Sequence, residues 1–389
     1  MKIFSVNSIK YHFKTIGEKN DFDRAMTLSL CVQEILGQNV LDPKWNLKTA
    51  MAKHVSIIVI IIYVILGTKE FLKDATDITI MGEAYFTFLI TFFFSLKYIL
   101  FIGSRETFRK SYLIAKTSLL DMIRADSIEK SNELLAKVKI IVKILFGGVL
   151  CPVLMYLAVA FWNYILGTRV TLSRTTSILM PMTSPYYEIG LILHTIYFVE
   201  MAFTYCAIDL WFAVLMFSFC MASDSLVSGL KIERQRSDET DEEYMDRLNS
   251  TLRVFCKNHT ILMDDMFKWP TVIPLMSVLL SICLILLCMT EVSTYLLRFY
   301  FLRHFLFILS CYIPFYLEIT GTQFYMALLE FDWASMRLKD KKNYLIIMSY
   351  MNKEFMIKTA LGNDLSLVTM TSVLKAGYQA FTMIRTMDI

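Results

Sequence analysis

Residues 189–222 read IGLILHTIYFVEMAFTYCAIDLWFAVLMFSFCMA. The run holds two carboxylates, Glu200 and Asp209, and neither Lys nor Arg. A helix crossing the hydrocarbon core of a bilayer needs roughly 20 mostly apolar residues, so this run is long enough to span and to project beyond it. Working outward, the same length is met at about 51–67, 78–103, 138–166, 271–297 and 301–321. The last two are joined by Leu297-Arg298-Phe299-Tyr300, which predicts an antiparallel hairpin turning at a membrane surface. A seventh segment, 365–386, LSLVTMTSVLKAGYQAFTMIRT, has the length of a span but is more polar. The reading is an all-α membrane protein with seven transmembrane helices.

Composition agrees. The 389 residues are 56% hydrophobic and 19% charged, whereas soluble domains average about 45–50% and about 25%. The abundance of Phe, Met and Tyr over Gly and Pro excludes a disordered or low-complexity chain. A net charge of +4 is too small to indicate a nucleic-acid partner. The eight Cys show no CxxC spacing, so neither a zinc site nor a disulfide framework is indicated. His12, His54, His194, His259 and His304 are scattered, and no GxSxG or HExxH motif occurs. No enzyme, metal or cofactor is expected. The N-terminal MKIFSVNSIKYHFK lacks a signal-peptide core, so the first apolar run is expected to stay in the mature protein.

Orientation follows from Lys and Arg beside the spans. One side carries 27 of them and the other seven, which places the N-terminus in the cytoplasm and the C-terminus outside. That is the reverse of a G-protein-coupled receptor. The sequons at Asn249 and Asn258 then lie in the cytosolic 4–5 connection and are expected to stay unmodified. In that connection, Leu248, Leu252, Phe255 and His259 share a helical face expected to pack with 323–361.

Residues 343–361 form an amphipathic pattern, with Tyr344, Met348, Met351 and Phe355 on one stripe and Ser349 and Lys353 opposite. Gly362-Asn363-Asp364 supplies a C-cap glycine and N-cap residues, so the helix should break and restart there. The last helix is thus split into a cytosolic and a pore-lining part. In the restarted part Asp364, Thr371, Lys375, Tyr378, Thr382 and Arg385 occupy one narrow strip. Facing that strip to lipid would be costly. It therefore packs against other spans or lines water, and one helix lines a pore only with copies around an axis. Two regions result: 1–322, transmembrane helices 1–6 with cytosolic connections, and 323–389, cytosolic anchor helices with the pore-lining seventh helix.

The layout, with Trp333 before the basic 6–7 stretch, and the terminal signature Leu374-Lys375-Ala376-Gly377-Tyr378-Gln379-Ala380-Phe381-Thr382-Met383-Ile384 resemble the insect odorant receptors. The resemblance implies a ligand-gated non-selective cation channel in the plasma membrane of sensory neurons, opened by a small hydrophobic odorant. It also implies a tetramer with a shared co-receptor subunit. This chain resembles a tuned subunit, since it lacks the co-receptor's longer 4–5 loop and Val-rich last helix. The resemblance places the narrowest ring near Met383, with Thr382 and Thr386 beside it. Helical spacing instead turns Thr382 inward and Met383 away. Lys375 is awkward in a cation pore repeated four times, and dilution by co-receptor subunits would ease that.

The family's pocket lies in the outer halves of spans 2, 3, 4 and 6. Here these hold Tyr85, Phe86 and Phe88; Met155, Ala158 and Trp162; His194, Tyr197 and Met201; and His304 and Phe305. Met155, Ala158 and Trp162 share a helical face, and such an apolar, aromatic lining suits a small hydrophobic ligand. Ordinary helix packing is the competing reading for each residue, and Glu200, Asp209 and Glu318 read first as structural pairs. The alternatives in function are a gustatory-type channel, whose Thr-Tyr and Gln-Phe markers are absent from the last helix, and a G-protein-coupled receptor. The latter conflicts with the orientation and the missing Asn-Pro-x-x-Tyr. Membrane lipid is the remaining partner.

Overall fold

The computed structural model describes residues 21–38, 41–42, 45, 58, 61–62, 64–69, 78–169, 182–232, 240–260, 321–352, 368, 371–372, 375–379 and 382–383. Among them there is no strand. The order is α1 (Asp21–Ala25), α2 (Thr27–Ile35), α3 (Ile78–Gly103), α4 (Arg105–Ile114), a π turn (Ala115–Leu119), α5 (Leu120–Asp126), α6 (Ile128–Ile165), α7 (Tyr186–Ile232), α8 (Asp241–Thr260) and α9 (Leu338–Met351). A 3₁₀ turn at Trp333–Ser335 precedes α9, and 321–330 is also helical. The runs 271–297 and most of 51–67 and 301–321, and the break at 362–364, lie outside the described residues.

The helices begin and end where local chemistry dictates. The Ser127 hydroxyl accepts from the amides of Glu129 at 3.1 Å and Lys130 at 3.5 Å, capping α6. Gly167, at φ 78°, stops it. Thr168 N–H donates to the Asn163 carbonyl at 2.9 Å and Gly167 N–H to that of Tyr164 at 3.0 Å, the Schellman pattern that a left-handed glycine permits. Gly37 ends α2 in the same way, with Gln38 N–H on the Gln33 carbonyl at 2.8 Å.

Side-chain pairs give the directions. Lys130 with Ser228, Lys137 with Phe217, Phe146 with Phe203 and Tyr164 with Tyr187 run oppositely along the two chains, so α6 and α7 are antiparallel. Thr91 with Tyr197 and Lys97 with Asp209 run together, so α3 and α7 are parallel. Among the described residues one helix, Tyr186–Leu230, is long and apolar enough by itself to cross a membrane, and Thr91–Gly103 is a shorter apolar one.

Among the described residues the large core gathers α1, α2, α4, α5, the N-terminal part of α6, the C-terminal part of α7, α8, 321–330 and α9 around Trp211, Phe219, Phe255, Phe324 and Tyr344. Two smaller clusters of described residues join the other ends of α6 and α7 to each other and to α3. Leu252, Phe255 and His259 of α8 are buried, Leu248 packs against them, and Phe255 meets Phe324 at 5.2 Å, as the spacing in that connection predicts. On α9, Tyr344 and Met351 are buried and Ser349 is exposed, again as the stripe predicts. Asn249 and Asn258 are buried, their amides donating to Asp340 at 3.3 Å and Ser118 at 2.9 Å, so neither sequon presents its asparagine at the surface.

Two ionic ties lock this core. Asp23 is fully buried and takes a hydrogen bond from Tyr112 at 2.6 Å and an ion pair from Lys116 at 2.5 Å. Burial, reinforced by that carboxylate, pushes the Tyr112 phenol well above its ordinary value. Buried Asp340 accepts from Arg337 at 2.7 Å, and Arg337 also pairs with Glu242 and, at 3.8 Å, Asp246 of α8. These bonds hold the guanidinium above its usual range.

His259 supplies a pH test. Its Nδ1 lies 3.0 Å from the Tyr350 hydroxyl and its ring 5.4 Å from Phe219. Burial pushes its pKa down from 6.5 to about 4. The unfolded ring therefore takes a proton first, and stability should fall as pH drops below about 6.5 and level off below about 4, by on the order of 3 kcal/mol. Thermal melts of the solubilised protein should show that slope, and His259→Phe should flatten it while the Thr260–Tyr350 hydrogen bond at 2.6 Å remains.

Candidate functional site

The N-terminal half of α7 presents His194, Tyr197 and Met201 on one face, and all three are buried. Residues three and seven apart on a helix share a face, so one stripe of α7 carries them toward α3. There the Tyr197 hydroxyl and Thr91 Oγ1 lie 2.8 Å apart, and the Tyr197 ring meets Phe94 edge-on at 6.4 Å and 89°. Val64, Phe94, Tyr197 and Met201 form one cluster, flanked by half-buried Ile61 and Phe198. Among the described residues the site is thus apolar and aromatic apart from the Thr91–Tyr197 hydroxyl pair and His194. Such a lining gives affinity by burial and orientation by one or two polar groups.

The described residues of the other expected groups are placed differently. Phe88 is half-buried and stacks on Phe92 at 6.5 Å, while the side chains of Tyr85 and Phe86 lie outside the described residues. On α6 the face turned to α7 is Val153, Leu157 and Ala160, packed on Tyr187 and Leu191. Ala158 and Trp162 occupy the other face, and Trp162 is 63% exposed. The Met155 side chain, His304 and Phe305 lie outside the described residues. The structure therefore brings together His194, Tyr197 and Met201, and adds Val64, Thr91 and Phe94.

Beneath the cluster, Lys97 of α3 forms an ion pair with Asp209 of α7. The Lys97 side chain is 3% exposed. Glu200 acts electrostatically on Tyr98, one position further along α3. Asp209 thus pairs within the bundle, as expected. Lys97 was legible as the lone cation in FTFLITFFFSLKYILFIG, and its partner was not, because 112 positions separate them. At the far outer end Arg169 lies over the Tyr187 ring at 5.7 Å and 3.6 Å from Glu188, and Tyr164 donates to Glu188 at 3.4 Å. This closes α6 against α7.

In the last helix Thr371, Lys375, Tyr378 and Met383 are exposed and Thr382 is half-buried, its hydroxyl donating to the Gln379 carbonyl at 2.8 Å. Gly377 is buried on the opposite side. Thr386 lies outside the described residues. No group of three or more His, Cys, Asp or Glu among the described residues is placed to hold a metal ion.

Comparison with known proteins supplies the remaining findings. The model of the family described as 7tm Odorant receptor matches residues 77–378. The fold is similar to the insect olfactory receptor OR5 from Machilis hrabei in complex with eugenol, with a TM-score of 0.74, 12% identity, 95% of this chain and 100% of that chain covered. The structure of the same receptor without that description of a ligand gives a TM-score of 0.73, 12% identity, and coverage of 94% and 99%. No curated protein sequence matches significantly.

The Lys97–Asp209 pair, buried at the lysine and 26% exposed at the aspartate, gives a test of how the site is held. Removing one partner of such a pair strands the other and is destabilising, whereas replacing both with apolar residues is often neutral. Lys97→Met alone should lower the melting temperature of the solubilised protein, and Lys97→Met with Asp209→Leu should recover most of the loss. An additive double variant would show that the two side chains do not depend on one another.

Proposed function

The chain belongs to the odorant receptor family, and from that premise we propose that it is an odour-tuned subunit of a ligand-gated, non-selective cation channel. The family is one of membrane receptors and channels, not of enzymes. The observation that carries the finer reading is the buried cluster of Val64, Thr91, Phe94, Tyr197 and Met201, on the face of α7 that also carries buried His194. A small hydrophobic molecule gains affinity there by burial, at about 25 cal/mol per Å² of apolar surface. The Tyr197–Thr91 hydroxyl pair offers it one hydrogen-bonding contact.

Seven spans with a cytoplasmic N-terminus follow from the Lys and Arg distribution, and the alternating directions of α3, α6 and α7 support successive crossings. The exposed strip of Thr371, Lys375 and Tyr378 lines a water-filled path only when several subunits surround an axis. Thr382, Met383 and Thr386 bound its narrowest part. Co-receptor subunits complete a tetramer and dilute the Lys375 charge, in the plasma membrane of sensory neurons. A gustatory-type channel is the second reading, because it shares this pore logic and differs in taking polar ligands.

Whole-cell recording with a panel of volatile esters, alcohols and aromatics tests the proposal. A fast cation current that needs both this chain and an odorant co-receptor is the expected result. Silence with volatiles and current with polar tastants would transfer the chain to the gustatory reading. Silence with both, at confirmed surface expression, contradicts the channel proposal.

A further inference from the structure

The 38-residue helix α6 carries one outward stripe from end to end. At 100° per residue, Lys139, Ile140, Lys143, Ile144, Leu154 and Trp162 fall within a sector of about 140°. All six are exposed, Ile140 and Ile144 by about half. From Ile144 to Thr168 the sequence has no charged residue. The distance from Ile144 to Trp162 at 1.5 Å per residue is about 27 Å, close to the roughly 30 Å of a hydrocarbon core. Trp162 and Tyr164 then sit at one boundary, where amphipathic rings collect, and Lys139 and Lys143 at the other.

The two lysines are unlike the neighbouring cations. Lys97, Lys116, Lys130 and Lys137 each pair with a carboxylate, at Asp209, Asp23, Asp126 and Glu133. Among the described residues Lys139 and Lys143 make no ion pair; they are exposed, stand one turn apart, and have Leu135, Ala136, Val142, Phe146 and Gly147 at the adjoining helical positions. The nearest carboxylate on α6, Glu133, is 2.5 Å from Lys137. Two exposed cations at the head of a charge-free apolar stripe match an anionic headgroup with its acyl chain.

We propose that Lys139 and Lys143 hold the headgroup of an acidic phospholipid of the cytosolic leaflet, whose chain lies along the stripe from Ile144 to Leu154. The proposal rests on the membrane-spanning, N-terminus-inside reading. The favoured occupant is a lipid rather than a second subunit because charge and apolarity are ordered along the stripe as they are in a lipid. A polybasic contact of this kind is worth about fivefold in occupancy per lysine.

Photoreactive phosphatidylserine and photoreactive phosphatidylcholine, each incorporated in bilayers containing the full chain, test it, with crosslinks mapped by peptide mass spectrometry. The native chain should crosslink phosphatidylserine at residues 139–154 several-fold more than phosphatidylcholine. Lys139→Gln with Lys143→Gln should abolish the preference while keeping the phosphatidylcholine crosslinks, and Lys139→Arg with Lys143→Arg should retain it. Equal labelling by the two lipids in the native chain, or a preference that survives the double Gln variant, overturns the headgroup site and leaves the membrane reading intact. Labelling elsewhere on the chain but none on this stripe means that another subunit covers it, which also overturns the proposal. No lipid crosslink anywhere would instead overturn the membrane reading itself.

Discussion

One uninterrupted helix, the 47 residues of α7, constrains everything else in this protein. At 1.5 Å per residue it is about 70 Å long, more than twice a hydrocarbon core. Its N-terminal half carries Tyr197 and Met201 of the candidate site, and its C-terminal half carries Trp211 and Phe219 into the large core. The candidate site and the helices around Phe219 and Phe255 therefore share one helix. Between those regions the Lys97–Asp209 pair ties α7 to α3, so a shift of either helix is felt at a contact that is costly to break inside the bundle.

The two halves differ in what holds them. Below, Asp23 and Asp340 are buried carboxylates anchored by Tyr112, Lys116, Arg337 and Asn249, and aromatic rings interleave from Phe219 to Phe331. Apart from Arg337–Asp340, which are three residues apart, these ties join segments distant in sequence. Above, small clusters of aliphatic and aromatic side chains meet with one hydroxyl pair.

Much of this was legible in residue order. The apolar run 78–103 coincides with α3, the run 138–166 ends one residue past α6, and the run 189–222 lies inside α7. α6 begins ten residues before its run and α7 extends past both ends of its own, because the apolar run marks only part of each helix. Beyond it, Leu134, Leu135 and Val138 face the core while Lys137 and Lys139 face outward, a helix without a greasy signature. The grouping of His194, Tyr197 and Met201 followed from their shared face. The side of α6 turned inward did not, since spacing shows that Met155, Ala158 and Trp162 share a face without showing which neighbour it meets. Thr91 and Phe94 were missed for a related reason: in a run as apolar as 78–103, no polar pattern separates one face from another.

The direct test of the central claim is the concentration dependence of the evoked current in two single variants, each paired with the co-receptor. Met201→Ala opens the buried cluster on α7, and Trp162→Ala trims the outward face of α6. Removing a buried Met side chain costs about 2–5 kcal/mol of packing, and a contact loss of 1.4 kcal/mol is tenfold in affinity. The account predicts a change of about tenfold or more in the half-maximal concentration for Met201→Ala and none for Trp162→Ala at equal surface expression. A change at Trp162 with none at Met201 would place the ligand outside the α3–α7 cluster and contradict it.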